Sequence, residues 1–261
     1  MLKQTIVSVY THRELVREMA WRELKGLNRG ALLGSVWLVL SPLIQVAAYV
    51  AIVSFVFGQR SSTGGPFDYA VYVLSGMIPW QILLRCLGQA PDLIRERLDL
   101  VKKVIYPLET LPYTAVMVSS FGSLVSLLVF LGLGLYAGRL QWTTLLLPLP
   151  AALLVAFVVG LSWSLSVAGV LIKDLREIVT ITLALLVYVS PVVASEALVG
   201  PKVWGYILYN PLAHVVICFR DVFEGSFHPW SWVLFASLAA AAFLSGAWVM
   251  TRAKRHIAEY I

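Results

Sequence analysis

Charged residues are scarce in this sequence. Only 13% of its 261 residues are Asp, Glu, Lys or Arg and 59% are hydrophobic, whereas soluble globular domains carry about 25% charged residues. The charges leave long windows that contain none of them, at 31–59, 110–138, 140–172 and 225–251. Each window exceeds the roughly 20 residues that cross about 30 Å of hydrocarbon, and none offers the charged face of a soluble helix. The composition excludes a soluble globular protein and indicates an all-α integral membrane protein.

Cysteine and the common catalytic motifs are also nearly absent. Cys86 and Cys218 lie far apart in or near apolar segments, where cysteine is more often a small hydrophobic residue than half of a disulfide. No Gly-Lys dipeptide occurs, so the chain has no phosphate-binding loop for ATP. It has neither His-Glu-x-x-His nor paired cysteines with zinc spacing. We expect no metal site, no cofactor, no nucleic acid partner and no catalytic residue in this chain.

Carboxylates are missing from the middle of the apolar windows, and the sequence shows no repeat of two similar halves. Carriers driven by protons or sodium usually have ionisable groups or broken helices at mid-membrane. We therefore expect a partner to supply the energy for any transport against a gradient. Asp221 and Glu224, beside Arg220, are the best remaining candidates for acid–base chemistry, although an interfacial ion pair explains them more simply. They leave a membrane-embedded enzyme open as an alternative.

The first thirty residues are basic and amphipathic. Between residues 10 and 29 apolar side chains recur at helical spacing, while arginine and lysine lie mostly on the other faces. Glu18 and Arg22 form a favourable i,i+4 pair. This pattern predicts a helix that lies at the lipid headgroups rather than one that crosses the membrane. A soluble flanking helix is the alternative.

Six membrane-spanning helices are predicted, at 31–57, 69–90, 112–136, within 143–172, 178–195 and 230–251. The second is imperfect because Pro79 interrupts it and Arg85 falls within it. An arginine near the centre of a span costs about 2.5–3.5 kcal/mol on insertion scales, so we expect Arg85 to face protein or to reach the cytoplasmic interface. Two Gly-x-x-x-Gly pairs, beginning at Gly30 and Gly134, permit close contact between helices.

The stretch 196–229 differs from the spans. Its apolar window, 203–219, is broken by Asn210-Pro211 and ends in Arg220-Asp221. A proline removes a helical hydrogen bond, and broken backbone survives at membrane depth only where it is buried in protein or lines a water-filled cavity. We therefore predict short re-entrant helices between the fifth and sixth spans.

Lysine and arginine are distributed unevenly between the two sides of these spans. If both termini share one side with residues 91–111 and 173–177, that side holds fifteen of the twenty basic residues and the other holds four. The positive-inside rule then places both termini in the cytoplasm. The same balance requires an even number of spans.

Several short motifs follow one another along the chain. They are Arg29-Gly30-Ala31-Leu32-Leu33-Gly34-Ser35-Val36-Trp37 with Ser41-Pro42-Leu43, Leu74-Ser75-Gly76-Met77-Ile78-Pro79-Trp80, the segment 100–109 before Leu111-Pro112, Lys173-Asp174-Leu175-Arg176-Glu177-Ile178, Ser190-Pro191-Val192, and Tyr209-Asn210-Pro211-Leu212-Ala213 before Phe219-Arg220-Asp221. In this order and at these spacings, over nearly its whole length, the chain resembles the membrane (permease) subunit of bacterial ABC exporters of surface polysaccharides, the O-antigen, teichoic acid and capsule export family. One departure is Lys173, where the family usually has arginine.

The resemblance implies a fold, a function and a location. The chain, 1–261, would be a single transmembrane domain in the bacterial cytoplasmic (inner) membrane. It would form a homodimer with a pore between the subunits and bind two copies of a separate ABC nucleotide-binding subunit, which holds ATP and Mg. The substrate would be a lipid-linked glycan on an undecaprenyl-pyrophosphate-type carrier. A related ABC exporter of a drug or small lipid is the alternative, and a membrane-embedded lipid-linked transferase is a further one.

The resemblance also assigns roles to three segments. Residues 1–30 look like a cytoplasmic interface helix, where Arg22, Lys25 and Arg29 could meet the pyrophosphate or bind anionic lipid. Within the cytoplasmic segment 91–111, the coupling helix that docks on the ATPase would use Asp99, Val101, Lys102, Lys103, Tyr106 and Pro107. Residues 196–229 look like the outward gate, with Tyr209, Asn210, Pro211, Arg220 and Asp221.

Aromatic residues make up 12% of the chain. Most tryptophans fall near predicted membrane boundaries, as in an ordinary interfacial belt. The alternative is that some aromatic side chains line a pore and stack on sugars. The candidates for that role are Trp37, Tyr49, Phe55, Tyr72 and Tyr188.

Overall fold

The computed structural model describes residues 11–27, 30–57, 66–97, 107–136, 138, 141–192 and 194–260. Within these ranges every regular element is a helix. The α-helices are α1 (Arg13–Gly26), α2 (Trp37–Phe57), α3 (Pro66–Gln89), α4 (Asp92–Arg95), α5 (Leu111–Tyr136), α6 (Pro148–Leu171), α7 (Leu175–Leu186), α8 (Glu196–Ile207), α9 (Pro211–Glu224) and α10 (Pro229–Tyr260).

Three helical segments in this part of the chain are long and apolar enough to cross a membrane. They are Leu108–Leu135, Trp142–Leu171 and Pro229–Ala253, which correspond to the third, fourth and sixth predicted spans. A shorter apolar stretch, Gly34–Ala48, lies in the first. Over the described ranges the structure thus confirms an all-helical protein with three candidate membrane spans, while the count of six spans stays a prediction.

Several helix boundaries differ from those predicted. Helix α3 continues through Pro79, because neighbouring groups in a membrane bundle can satisfy the backbone that a proline frees. Helix α7 ends at Leu186, well short of residue 195, and Pro191 follows soon after it. A proline disfavours helical backbone in the residue before it. Helix α10 continues past residue 251 into the basic tail.

Helices α6 and α10 make the closest contact in the described bundle. A methyl group on Gly160 would overlap the backbone of Ala242, and one on Gly246 would overlap the carbonyl of Gly160. The two backbones therefore touch without intervening side chains. At the other end of α6, a methyl group on Gly169 would overlap the Pro91 carbonyl just before α4.

Three glycines of the two predicted Gly-x-x-x-Gly pairs do not make this kind of contact. Gly30, Gly34 and Gly138 have no neighbouring atom within 4 Å of a Cβ position. All three have positive φ angles, so they occupy turns where glycine is favoured for its backbone conformation. These three glycines lie at helix ends, and a close helix contact through either pair stays a prediction.

Helix α9 lies in the hydrophobic core. Every residue from Leu212 to Phe223 is buried, and the helix packs against α3, α10 and α6. Cys218, one of its residues, is a buried free thiol, as is Cys86 in α3, in agreement with their expected role as small hydrophobic residues.

Helix α1 packs along α5 by one stripe of side chains. Its buried residues are Val16, Ala20 and Leu24, and the last two form a small apolar cluster with Val118. The remaining faces carry the charges. The helix and its apolar stripe are confirmed, while its position at the lipid headgroups stays a prediction.

Candidate functional site

The predicted gate region surrounds an open cleft of about 1140 Å³ between α8, α9 and α10. Six aromatic side chains line it: Tyr72, Trp204, Tyr206, Tyr209, Phe227 and Trp230. Tyr206 and Tyr209 are 73% and 86% exposed, so neither ring packs in the core. Polar groups on the same walls include Lys202, Glu224 and His228.

Asn210 forms the break between α8 and α9. Its side-chain oxygen accepts a hydrogen bond from the Leu212 amide at 3.0 Å, which caps α9. Its side-chain nitrogen donates to the Ser190 hydroxyl at 2.8 Å and to the Val189 carbonyl at 3.2 Å. Pro211 then occupies the first turn of α9, where its missing N–H costs nothing. The predicted break is confirmed, and it is tied to the chain that follows α7.

Arg220 is buried and anchors α9 to two distant segments. It donates hydrogen bonds to the carbonyl oxygens of Tyr72 and Val192, each at 3.1 Å. Its guanidinium carbon lies 3.4 Å from the centre of the Tyr72 ring, a cation–π contact. Gly76 leaves room for this arrangement, since a Cβ there would lie 3.1 Å from an Arg220 nitrogen.

Asp221 is buried and joins the end of α9 to the start of α10. Its carboxylate accepts hydrogen bonds from the Ser226 hydroxyl at 2.8 Å, the His228 amide at 2.8 Å and the Trp232 indole at 2.9 Å. The His228 Nδ1 is 2.6 Å away. These hydrogen bonds of Arg220 and Asp221 go to different partners, and Asp221 lies within ion-pair distance of His228. A carboxylate with this many donors serves to connect elements rather than to act as a free base.

His214 is a third buried polar residue of α9, and sequence reasoning gave it no role. Its Nε2 lies 3.1 Å from the Leu208 carbonyl and its Nδ1 lies 3.1 Å from the Ser231 hydroxyl. A carbonyl oxygen only accepts, so Nε2 carries the proton. His214 thus links α8, α9 and α10.

Ion pairs connect several elements at the opposite end of the bundle. Arg176 lies 2.7 Å from Asp92 and 3.9 Å from Glu96, and Arg97 lies 2.7 Å from Glu23 of α1. The hydrogen bond with Asp92 raises the pKa of Arg176 above its ordinary value. The residues that begin the predicted coupling segment are therefore held against both α1 and the 173–177 turn.

Most of the predicted coupling residues lie outside the described part of the chain. These are Asp99, Val101, Lys102, Lys103 and Tyr106. Pro107 is half-buried, and its carbonyl accepts hydrogen bonds from the Thr110 amide and hydroxyl.

The predicted interface and pore residues are scattered along the chain. Arg22 lies 3.9 Å from Glu18, which confirms that pair, and the Lys25 ammonium lies 4.9 Å from the centre of the Trp21 ring. Arg29 and the side chains of Tyr49 and Phe55 lie outside the described residues. Of the other predicted pore residues, Trp37 is half-buried and Tyr188 is exposed. The Tyr72 ring packs against the Arg220 guanidinium.

The sequence of the chain matches a known protein family and several of the family's relatives. Residues 14–223 match the model of the family described as ABC-2 type transporter. The chain is 26% identical to an O-antigen export system permease protein, RfbA, of Myxococcus xanthus over 218 residues, 82% of each chain. A Klebsiella pneumoniae protein of the same name is 26% identical over 77% of each chain. The polysialic acid transport protein KpsM of Escherichia coli is 24% identical over 72% of this chain and 73% of its own.

Proposed function

The chain belongs to the ABC-2 type transporter family, and from that premise we propose that it is the membrane-spanning subunit of an ATP-driven exporter of lipid-linked polysaccharide. The observation that carries the proposal is the agreement among relatives. Proteins named for O-antigen export and for polysialic acid transport align over roughly three quarters of this chain, although they handle different glycans. A shared alignment across different glycans favours a polysaccharide over a drug or small lipid.

A separate subunit is proposed to bind ATP and Mg. The sequence contains no phosphate-binding loop, so the chain needs a partner that hydrolyses ATP. Residues 91–111 are proposed to dock on that partner. The ion pairs of Asp92 and Arg97 with the 173–177 turn and α1 support this role, because a displacement of the segment would be passed to both.

A homodimer with two ATPase copies is the proposed assembly. Helices α2 and α7 expose apolar side chains such as Ile44, Ile181 and Leu185, and a second copy of the chain would cover part of these surfaces. The pore would then lie between the copies, with Trp37 and Tyr188 near it.

The proposed topology has six spans with both termini in the cytoplasm. Helices α8 and α9 have 12 and 14 residues, which at 1.5 Å per residue is about 18–21 Å, too short to cross the membrane. They are therefore proposed to form the re-entrant outward gate in 196–229. Arg22, Lys25 and Arg29 of the segment 1–30 are proposed to lie at the cytoplasmic entrance.

Purification of the tagged chain from its native membrane in mild detergent tests the assembly. We expect a soluble subunit with a phosphate-binding loop to co-purify in equal amount, and ATP-dependent movement of an undecaprenyl-linked glycan after reconstitution of the pair. A homo-oligomer without an ATPase in several detergents would contradict the proposal. Movement of small lipids but not glycans would favour the related exporter, and glycan transfer without ATP would favour the transferase.

Labelling of single cysteines tests the topology. The native thiols are buried, so background reaction is low. We expect Leu140→Cys and Leu198→Cys to react with an impermeant reagent from outside, and Glu96→Cys to react only after the membrane is opened. The reverse pattern would overturn the orientation.

A further inference from the structure

Arg85 lines a second cavity, at the end of the bundle that carries the 173–177 turn. The cavity has a volume of about 470 Å³ and lies among α1, α3, α5 and α7. Its polar lining residues are Arg85, Gln89, Ser119, Arg176, Glu177 and Thr180. Arg85 is four residues from the end of α3 at Gln89, about 6 Å along the helix axis, so in the proposed topology its guanidinium would lie near the cytoplasmic headgroups.

The Arg85 guanidinium has little compensation from the described protein. Its hydrogen bond is to the Gln45 side-chain oxygen at 3.4 Å, a long distance for a charged donor. Among the described residues no Asp or Glu carboxylate lies within 4 Å of it. An arginine in a membrane segment normally has a partner or a watery surrounding.

The neighbouring helix leaves space for this side chain. A Cβ on Gly122 of α5 would lie 2.8 Å from the Arg85 Nη1, so the guanidinium rests directly against the α5 backbone and a larger residue there would shift it. The other cation of the cavity, Arg176, is already bound to Asp92. Gln89 donates to the Ser119 hydroxyl at 3.2 Å. With Glu177 also present, the formal charges of Arg85, Arg176, Asp92 and Glu177 balance, and Arg85 is the cation of this lining that has no carboxylate within 4 Å among the described residues.

We propose that this cavity binds a phosphate group of a lipid in the cytoplasmic leaflet, with Arg85 as its main ligand. The planar guanidinium presents paired donors that match phosphate oxygens, and the hydroxyls of Ser119 and Thr180 add neutral donors. Both a phospholipid headgroup and the pyrophosphate of a lipid carrier provide this chemistry. Only the second source rests on the proposed export function.

Native mass spectrometry of the purified transporter complex tests the site, with phosphatidylglycerol and undecaprenyl pyrophosphate as anionic probes and phosphatidylcholine as the zwitterionic comparison. We expect Arg85→Gln to weaken binding of an anionic probe about tenfold, the usual scale for losing a charged hydrogen bond. Arg85→Lys should retain part of the affinity. Arg252→Gln is the matched control, because Arg252 stacks on Trp248 at 4.4 Å and lies outside the cavity.

Each result has a definite meaning. A loss confined to undecaprenyl pyrophosphate supports the carrier as occupant, and a loss for both probes supports any lipid phosphate. Unchanged binding by Arg85→Gln, or an equal loss in Arg252→Gln, would overturn the proposal. If Arg85→Gln does not fold, Thr180→Leu narrows the cavity while keeping Arg85, and unchanged affinity in that variant would also overturn it. Absence of glycan export by the wild-type complex would refute the proposed function but leave a binding loss in Arg85→Gln intact.

Discussion

Helices α8 and α9 are adjacent in sequence and similar in length, yet their surroundings are opposite. Helix α9 is buried from Leu212 to Phe223, whereas Ile207 is the one buried residue among the described side chains of α8. Helix α8 is also bent at Gly200, where φ is +78°. Helix α9 carries Arg220 and Asp221, whose hydrogen-bond partners lie inside the protein.

The difference indicates that the two helices have different roles in the predicted gate region. Polar groups buried in protein are retained only when their hydrogen bonds are made, so the charges of α9 fix its position against α3 and α10. The aromatic side chains of α8 and of the residues just after it line the cleft, and two of them, Tyr206 and Tyr209, are exposed rather than packed in the core. We therefore expect changes in α9 to reduce stability and changes in α8 to reduce transport alone.

Of the changes considered, removal of the Asp221 carboxylate should cause the largest loss of stability. Asp221→Ala removes a buried carboxylate that holds the Ser226 hydroxyl, the His228 amide and the half-buried Trp232 indole, and we expect unfolding free energy to fall by about 3 kcal/mol. Denaturant titration of the detergent-solubilised protein measures it. Glu224→Gln, on the next turn of α9 and exposed, is the control and should stay within about 0.5 kcal/mol. Equal stability of Asp221→Ala and wild type would show that the network is dispensable.

Replacing Gly76, a residue of α3 that packs against α9, should reduce stability by less than Asp221→Ala does. A Cβ on Gly76 would lie 3.1 Å from Arg220, Val192 and Val216 atoms, so Gly76→Val should cost about 2 kcal/mol through overpacking. Gly205→Val is the same change in α8, where no atom lies within 4 Å of the Cβ position, and we expect little loss. Similar melting curves for the two variants would contradict the comparison.

The caps of the two helices offer a third test. Asn210 caps α9 through its side chain, whereas Ser195 precedes α8 without a side-chain cap bond. Asn210→Ala should therefore cost about 1 kcal/mol, and Ser195→Ala should be nearly neutral. Thermal unfolding of both variants measures the difference in stability, and an equal loss of stability in the two would be inconsistent with the assigned cap.

The smallest effect on stability is expected in the exposed aromatics. Tyr206→Ala combined with Tyr209→Ala should change stability by less than about 0.5 kcal/mol, because neither ring is buried. Export of a lipid-linked glycan should nevertheless fall if these rings contact sugars. Full export with unchanged stability would remove them from the gate mechanism.

Much of the fold could be predicted because it depends on local patterns. Charge-free windows located the long apolar helices, the Asn210-Pro211 pair located the break between α8 and α9, and helical spacing located α1. These features follow from hydrophobic burial and backbone hydrogen bonding within a short segment.

The buried networks could not be predicted because their members are distant in sequence. Arg220 bonds to Tyr72, 148 residues earlier, whereas the pattern of α9 alone suggested only an interfacial ion pair for Asp221 and Glu224 beside Arg220. The close contact of α6 and α10 also depends on Gly160 and Gly246, which no short motif joins. The sequence motif identified spaced glycines, but contact requires two helices to present them to each other.

The contact between Gly169 and Pro91 has a mechanical consequence. Because no side chain separates the two backbones, no side-chain rearrangement can take up a small displacement at the start of residues 91–111. A force applied there by a nucleotide-driven partner would pass directly to α6, and through Gly160 and Gly246 to α10. These elements would then move as one rigid body, and the relative motion in a transport cycle would fall to helices outside this set, such as α2 and α8.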